Sequence, residues 1–312
     1  MRLQLLAVLL ALAVTAAAGI GLEHVSPGAA LAAALGALFL LLVPYFHWGL
    51  SEPRRPRSLW WVAALIIPYA LYVAGTGRPD SFLAPARLIA FVLLPTLLVL
   101  FGRGRKGPGP LDLIAVLVIW LPFDLRLLEG IWTWPEGQGS YGFQTIFAVD
   151  LAVFLFFVVR GIEGIGYRFV LTRRGALSVA VNFIVFSAIA IPLGLAIHFI
   201  RYQPRGSGAV ELIATFFAIL VFIGIPEELL FRGLIQNFLE TWWGKGFWSL
   251  LVASVVFGAA HLDNDAAPNF AYALMATIAG IFYGRTFRQS GNLLAPALVH
   301  ALVDTVWRAV FR

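Results

Sequence analysis

The 312-residue chain contains no cysteine. Disulfide frames, thiolate nucleophiles and cysteine metal sites are therefore excluded. Charge is nearly as scarce: Asp, Glu, Lys and Arg make up 12% of the residues, where a soluble domain carries about 25%. There is no Gly-x-Ser-x-Gly elbow, no phosphate-binding glycine loop and no His-Glu-x-x-His pair, so serine-hydrolase, nucleotide-hydrolase and standard zinc-protease readings have no footing. No internal repeat is evident, which weighs against a repeat-built transporter.

What the chain has is hydrocarbon. Hydrophobic residues are 61% of the total, in long runs separated by short charged clusters. A spanning helix needs about 20 mainly apolar residues. Eleven candidates meet or approach that length: 3–21, 29–49, 59–75, 88–102, 111–123, 146–160, 178–200, 211–239, 247–264, 270–287 and 292–310. The expected fold is an all-α, polytopic transmembrane bundle of about eleven (10–11) helices, with the short fifth run a candidate re-entrant segment. The first run resembles a signal peptide, but a second apolar run follows at once, so a retained helix is expected. Basic clusters at Arg54-Arg55-Arg57, Arg103-Arg105-Lys106 and Arg168 with Arg173-Arg174 place the N-terminus in the cytoplasm. The net charge of +6 is explained by such loops and by anionic lipid, with no nucleic-acid partner implied. The expected setting is a multi-pass protein of a membrane. Residues 1–174 read as a helical extension and 175–312 as a catalytic core, because the polar constellations within apolar helices gather after Arg174.

The most informative stretch is Pro226-Glu227-Glu228-Leu229-Leu230-Phe231-Arg232-Gly233, flanked on both sides by apolar helix. Ionisable groups at membrane depth are costly and mark function by default. Glu228 and Arg232 are four residues apart and share a helix face, so they form a supporting ion pair. Glu227 points about 100° away and is free to face a cavity as a general base. Pro226 removes a backbone hydrogen bond beside it. The bland alternative, a solvated helix end, fits poorly because the apolar helix resumes after Arg232.

Two later stretches answer this one: Phe257-Gly258-Ala259-Ala260-His261 and His300-Ala301-Leu302-Val303-Asp304. Antiparallel helices would bring His261 to the depth of Glu228 and leave His300 about 10 Å away in depth, unless loop 288–292 dips and Pro296 bends the helix. His300 and Asp304, at i and i+4, can ligate a metal, or the carboxylate can fix the imidazole tautomer. A single intramembrane His is more often an interhelical hydrogen bonder; the three motifs together favour a site.

In this order the three motifs resemble those of the CAAX protease and bacteriocin-processing family of intramembrane endopeptidases, which includes the enzymes that trim prenylated CAAX proteins. The likeness covers residues 175–312. It implies that Glu227 is the catalytic glutamate, that His261 helps it to activate water for attack on a peptide carbonyl, and that His300 and Asp304 hold the oxyanion or complete the site. Glu228 and Arg232 would be the supporting pair. The family motif often ends in Asn, so Asp304 adds a charge that could favour metal binding. A divalent metal such as zinc, held by Glu227, His261, His300 and Asp304, and metal-free Glu–His chemistry both stay open, with the metal-free form favoured. The implied partner is a membrane-associated protein or peptide, CAAX-type or carrying a sorting signal, met within membrane lipid. The rival class is a non-enzymatic protein: an ion-coupled transporter or a bacteriocin-immunity-like binder.

Other residues carry plainer expectations. Asp150 is expected at an interface, Arg160 and Glu163 as a helix-end ion pair, and His24, His47 and His198 near helix ends. Gly280 and Gly284 should permit close packing inside the bundle. Trp132 to Gln144 reads as an interface connector.

Overall fold

The computed structural model describes residues 83–131, 138–264 and 268–312. The expected spans at 3–21, 29–49 and 59–75, with His24 and His47, lie outside them, as do residues 132–137 of the aromatic connector. Among the described residues the chain is helical, and its only β feature is an isolated antiparallel bridge between Tyr202 and Phe311. The chain divides into two compact units, Met1–Ile162 and Glu163–Arg312.

In the first unit, α1 covers Leu83–Phe101, α2 covers Pro110–Asp124, and α3 covers Gln138–Ala152 and runs on as a π-helix through Val153–Val159. Pro110 begins α2 at a position whose N–H needs no intrahelical partner. Asp112 folds back to accept from the Gly109 N–H at 2.8 Å. The same buried carboxylate takes two donors from Arg160, Nε at 2.7 Å and Nη2 at 2.9 Å. Arg160 also donates to the carbonyls of Arg105 and Gly107. The expected Arg160–Glu163 pair is thus corrected: the guanidinium is already occupied by Asp112 and two carbonyls. Asp150 is likewise not interfacial. It is fully buried, and neither carboxyl oxygen has a hydrogen-bond partner.

In the second unit, α4 spans Arg173–Ala196, capped by Thr172, whose hydroxyl accepts from the Gly175 N–H at 3.0 Å. The next helix, α5, runs unbroken over Ala209–Trp243. After it come α6 at Phe247–Ala259, α7 at Phe270–Ser290 and α8 at Leu294–Val310. His198 follows α4 and is exposed, as expected of a residue at a helix end. Three of these helices, α1, α4 and α5, are long and apolar enough to cross a membrane. Exposed Leu177, Ile184 and Ile213 give α4 and α5 apolar outer faces, which suit lipid rather than water.

Glycine sets the closest helix contacts. A Cβ on Gly258 would strike Thr277 and the Ala273 carbonyl, and one on Gly284 would strike Leu250 and Gln236. On Gly280 it would meet Ser254 Cα at 3.1 Å. The Gly280–Gly284 step therefore serves packing within the bundle, between α7, α6 and α5. On α5, a Cβ at Gly224 would lie 3.1 Å from the Ala297 carbonyl of α8. Ile219 and Leu220 pack in one cluster with Ala297 and Ala301.

Candidate active site

Around the carboxylate stretch α5 is not a regular helix. Leu220–Gly224 is π-helical, Ile225–Glu228 is α-helical, and Leu229–Gln236 is π-helical again. Pro226 has no N–H to offer, so the ladder must widen or break near it, and π-turns of this kind gather at functional sites. The spacing of Glu228 and Arg232 survives: Nε of Arg232 donates to Oε2 of Glu228 at 3.0 Å, with both side chains fully buried. The guanidinium lies over Phe257, 4.8 Å from the ring centroid, and 5.8 Å from that of Tyr283. Aromatic faces here take the place of further acceptors, since Nη1 and Nη2 have no hydrogen-bond partner.

The other oxygen of Glu228 holds His300. Nδ1 of His300 lies 3.0 Å from Oε1 of Glu228, and a carboxylate can only accept, so Nδ1–H donates. Glu228 thus joins Arg232 and His300, a link the sequence reading missed. His300 was expected about 10 Å from Glu228 in depth. The offset between the backbones follows from the Gly224–Ala297 contact. Glu228 lies four residues beyond it on α5 and His300 three beyond it on antiparallel α8, about 10 Å apart along the axes. Helical side chains lean toward their own N-termini, so these two lean toward each other and close the gap. No dip of loop 288–292 is needed. Pro296 falls in the first turn of α8, where its missing N–H leaves no intrahelical bond unmade.

On its far side, Nε2 of His300 faces two carboxylates, Glu227 Oε2 at 3.9 Å and Asp304 Oδ2 at 3.8 Å. The side chain of Glu227 is 26% exposed, unlike that of Glu228. Its Oε2 is buried without a hydrogen-bond partner. Of the two adjacent glutamates, one is fully engaged and the other keeps a free acceptor.

His261 follows α6. Its Nδ1 lies 2.8 Å from the Phe257 carbonyl, which makes Nδ1–H the donor and leaves Nε2 unprotonated in the neutral ring. Phe257 packs against both imidazoles, with its centroid 4.7 Å from His261 and 6.0 Å from His300. Tyr272 covers one face of His261, and Tyr283 one face of His300. No ion pair joins His261 to Glu227 among the described residues.

Glu227, Glu228, Arg232, His300 and Asp304 are therefore in one contiguous group, and Phe257 touches both His261 and the His300 of that group. Among the described residues no group of three or more His, Asp or Glu is placed to hold a metal ion as the side chains stand.

Apolar helices of membrane length around buried carboxylates and imidazoles define the class, an integral membrane protein with a polar site inside its helices. Residues 209–306 match the family model described as type II CAAX prenyl endopeptidase Rce1-like. The resemblance drawn from the three motifs is shown for this stretch, which contains them all. Among curated proteins, uncharacterized protein YpbD of Bacillus subtilis (strain 168) is 28% identical over 90 residues, 29% of this chain and 42% of that protein. The chain thus spans less than half the length of that relative. No solved structure matches it.

Proposed function

We propose that the protein is an intramembrane endopeptidase of CAAX-protease type. It would be a multi-pass bundle of about eleven helices in a prokaryotic inner membrane, with residues 175–312 as the catalytic core and 1–174 as a helical extension. The substrate is a membrane-associated protein or peptide, lipidated or carrying a sorting signal. Glu227 takes a proton from water while the oxygen attacks the peptide carbonyl, and that proton then passes to the amide nitrogen as the C–N bond breaks to leave a carboxylate and an amine. His261, with Nε2 unprotonated, assists in moving that proton. His300 and Asp304 complete the site beside Glu227, where His300, when protonated at Nε2 as well, donates to the developing oxyanion. Glu228 and Arg232 support them. The one observation that carries the reading is the division between adjacent glutamates: Glu228 is bonded to Arg232 and His300, while Glu227 Oε2 has no hydrogen-bond partner. The proposed chemistry runs through Glu227 and its water, without a metal.

The test uses purified wild type and Glu227→Gln. Each is incubated with membrane extract from source cells lacking the gene, and peptide termini are compared by mass spectrometry. A new terminus made by wild type alone supports the reading and identifies the substrate. If folded wild type changes no terminus, the reading is wrong.

A further inference from the structure

Helix α7 carries none of the three motifs, yet it touches both site histidines. Tyr272 and Tyr283 lie eleven residues apart on it. That separation is three turns and about 20°, so both side chains leave one face of the helix, about 16 Å apart along its axis. Each is stacked on one imidazole. Tyr272 and His261 have centroids 5.2 Å apart and planes at 24°; Tyr283 and His300 are 4.9 Å apart at 17°. Each imidazole is thus held in three ways: through Nδ1 to a fixed acceptor, against Phe257, and by a tyrosine face.

The helix that supplies the two faces is itself tightly seated. Gly258 and Gly280 bring α6 and α7 into backbone contact, and Gly284 makes room for the side chains of Leu250 and Gln236. Tyr272 has further anchors in Phe199 at 5.4 Å and Trp307 at 5.3 Å, and those two rings pack on each other at 5.1 Å. Phe199 follows α4, and Trp307 lies three residues beyond Asp304 on α8. The terminal torsion of a histidine is broad and roughly two-fold, so a single Nδ1 hydrogen bond leaves the ring plane loosely defined. A stacked face restricts it.

The geometry points to Tyr272 and Tyr283 as positioning residues: they fix the planes of His261 and His300, and α7 sets the spacing between them. This deepens the proposed hydrolysis and rests on it. It concerns ring faces rather than hydroxyls.

The test has two readouts on the full-length protein in detergent. The first is the 15N spectrum of the histidine side chains, with signals assigned through His261→Gln and His300→Gln. Tyr272→Leu should loosen the Nδ1 hydrogen bond of His261 and let its tautomers exchange, seen as averaging of its two nitrogen signals, while His300 stays fixed; Tyr283→Leu should do the reverse. The second is cleavage of the identified peptide. Each Leu variant should lower kcat about ten- to a hundred-fold with KM little changed, and Tyr→Phe at either position should restore the rate to near that of wild type. Histidine signals that stay fixed in both Leu variants would overturn the inference. So would Phe variants as slow as the Leu variants, since that would put the hydroxyl in charge. If Tyr283→Leu does not fold, the half-buried Tyr272 carries the test alone. Failure of wild type to cleave any peptide would sink the hydrolase reading, while the spectra would still decide the positioning.

Discussion

Each unit of the molecule buries an arginine against a carboxylate, and the two pairs differ in what surrounds them. Around Asp112 and Arg160 the accounting closes. The guanidinium meets both oxygens of Asp112 and two backbone carbonyls, and the carboxylate also caps α2. Around Glu228 and Arg232 it does not close. Arg232 leaves Nη1 and Nη2 to aromatic faces, and Glu227 next door keeps an oxygen without a partner. Buried polar groups are nearly always satisfied, so each exception calls for a reason. A saturated pair builds structure. An unsaturated one, among imidazoles, is where a substrate or a water can bind.

The difference can be sharpened or broken by substitution. Glu228→Ala should give the largest loss of stability, about 3–5 kcal/mol, because it leaves Arg232 charged and buried. It should also stop cleavage in whatever protein still folds, since His300 loses its acceptor. Thermal unfolding in detergent, paired with a cleavage assay, checks both; a stable and active variant would show that Glu228 is dispensable. Arg160→Ala should destabilise by a similar amount, about 3–5 kcal/mol, with no drop in turnover per folded molecule.

Replacing whole pairs separates the two regions more clearly. An Asp112→Leu/Arg160→Met protein should be close to wild type in stability and should keep its cleavage, because apolar side chains often substitute well for a buried ion pair. Glu228→Leu/Arg232→Met should recover stability relative to Glu228→Ala yet stay inactive. If both double variants cleave normally, the site has been misplaced. The smallest effect concerns Asp150. As a buried carboxyl without a partner, it should be replaceable by Leu with a gain of about 1–3 kcal/mol. A fall in melting temperature would mean that Asp150 has a role of its own.

Chelation offers another check on the site's chemistry. Because the proposed activation of water by Glu227 needs no metal, 1,10-phenanthroline should leave cleavage by the purified protein unchanged. Loss with chelator and return with zinc would restore the metal reading.

Much of this was legible in the sequence, for identifiable reasons. Each apolar run from residue 88 onward became a helix, because hydrocarbon length and helix length are tied in a membrane. The Glu228–Arg232 pair was readable because an i, i+4 spacing is local. What escaped was tertiary. Asp112 and Arg160 are 48 residues apart, while Glu163 offered a nearer but wrong partner. The Glu228–His300 bond spans 72 residues and depends on the lean of two side chains, which arithmetic on backbone positions cannot capture. Tyr272 and Tyr283 gave a faint signal, two aromatics eleven residues apart on one helix, but nothing in that spacing said what they would face.

The division of labour between the adjacent glutamates is tested most directly by the turnover of Glu227→Gln. The substitution keeps the size of the side chain and removes only its basicity. Measured on the identified peptide, with wild-type and variant proteins matched for melting temperature, cleavage should fall about 10²- to 10⁴-fold with no loss of stability. A folded Glu227→Gln protein that cleaves at a rate near that of wild type would contradict a catalytic role for Glu227.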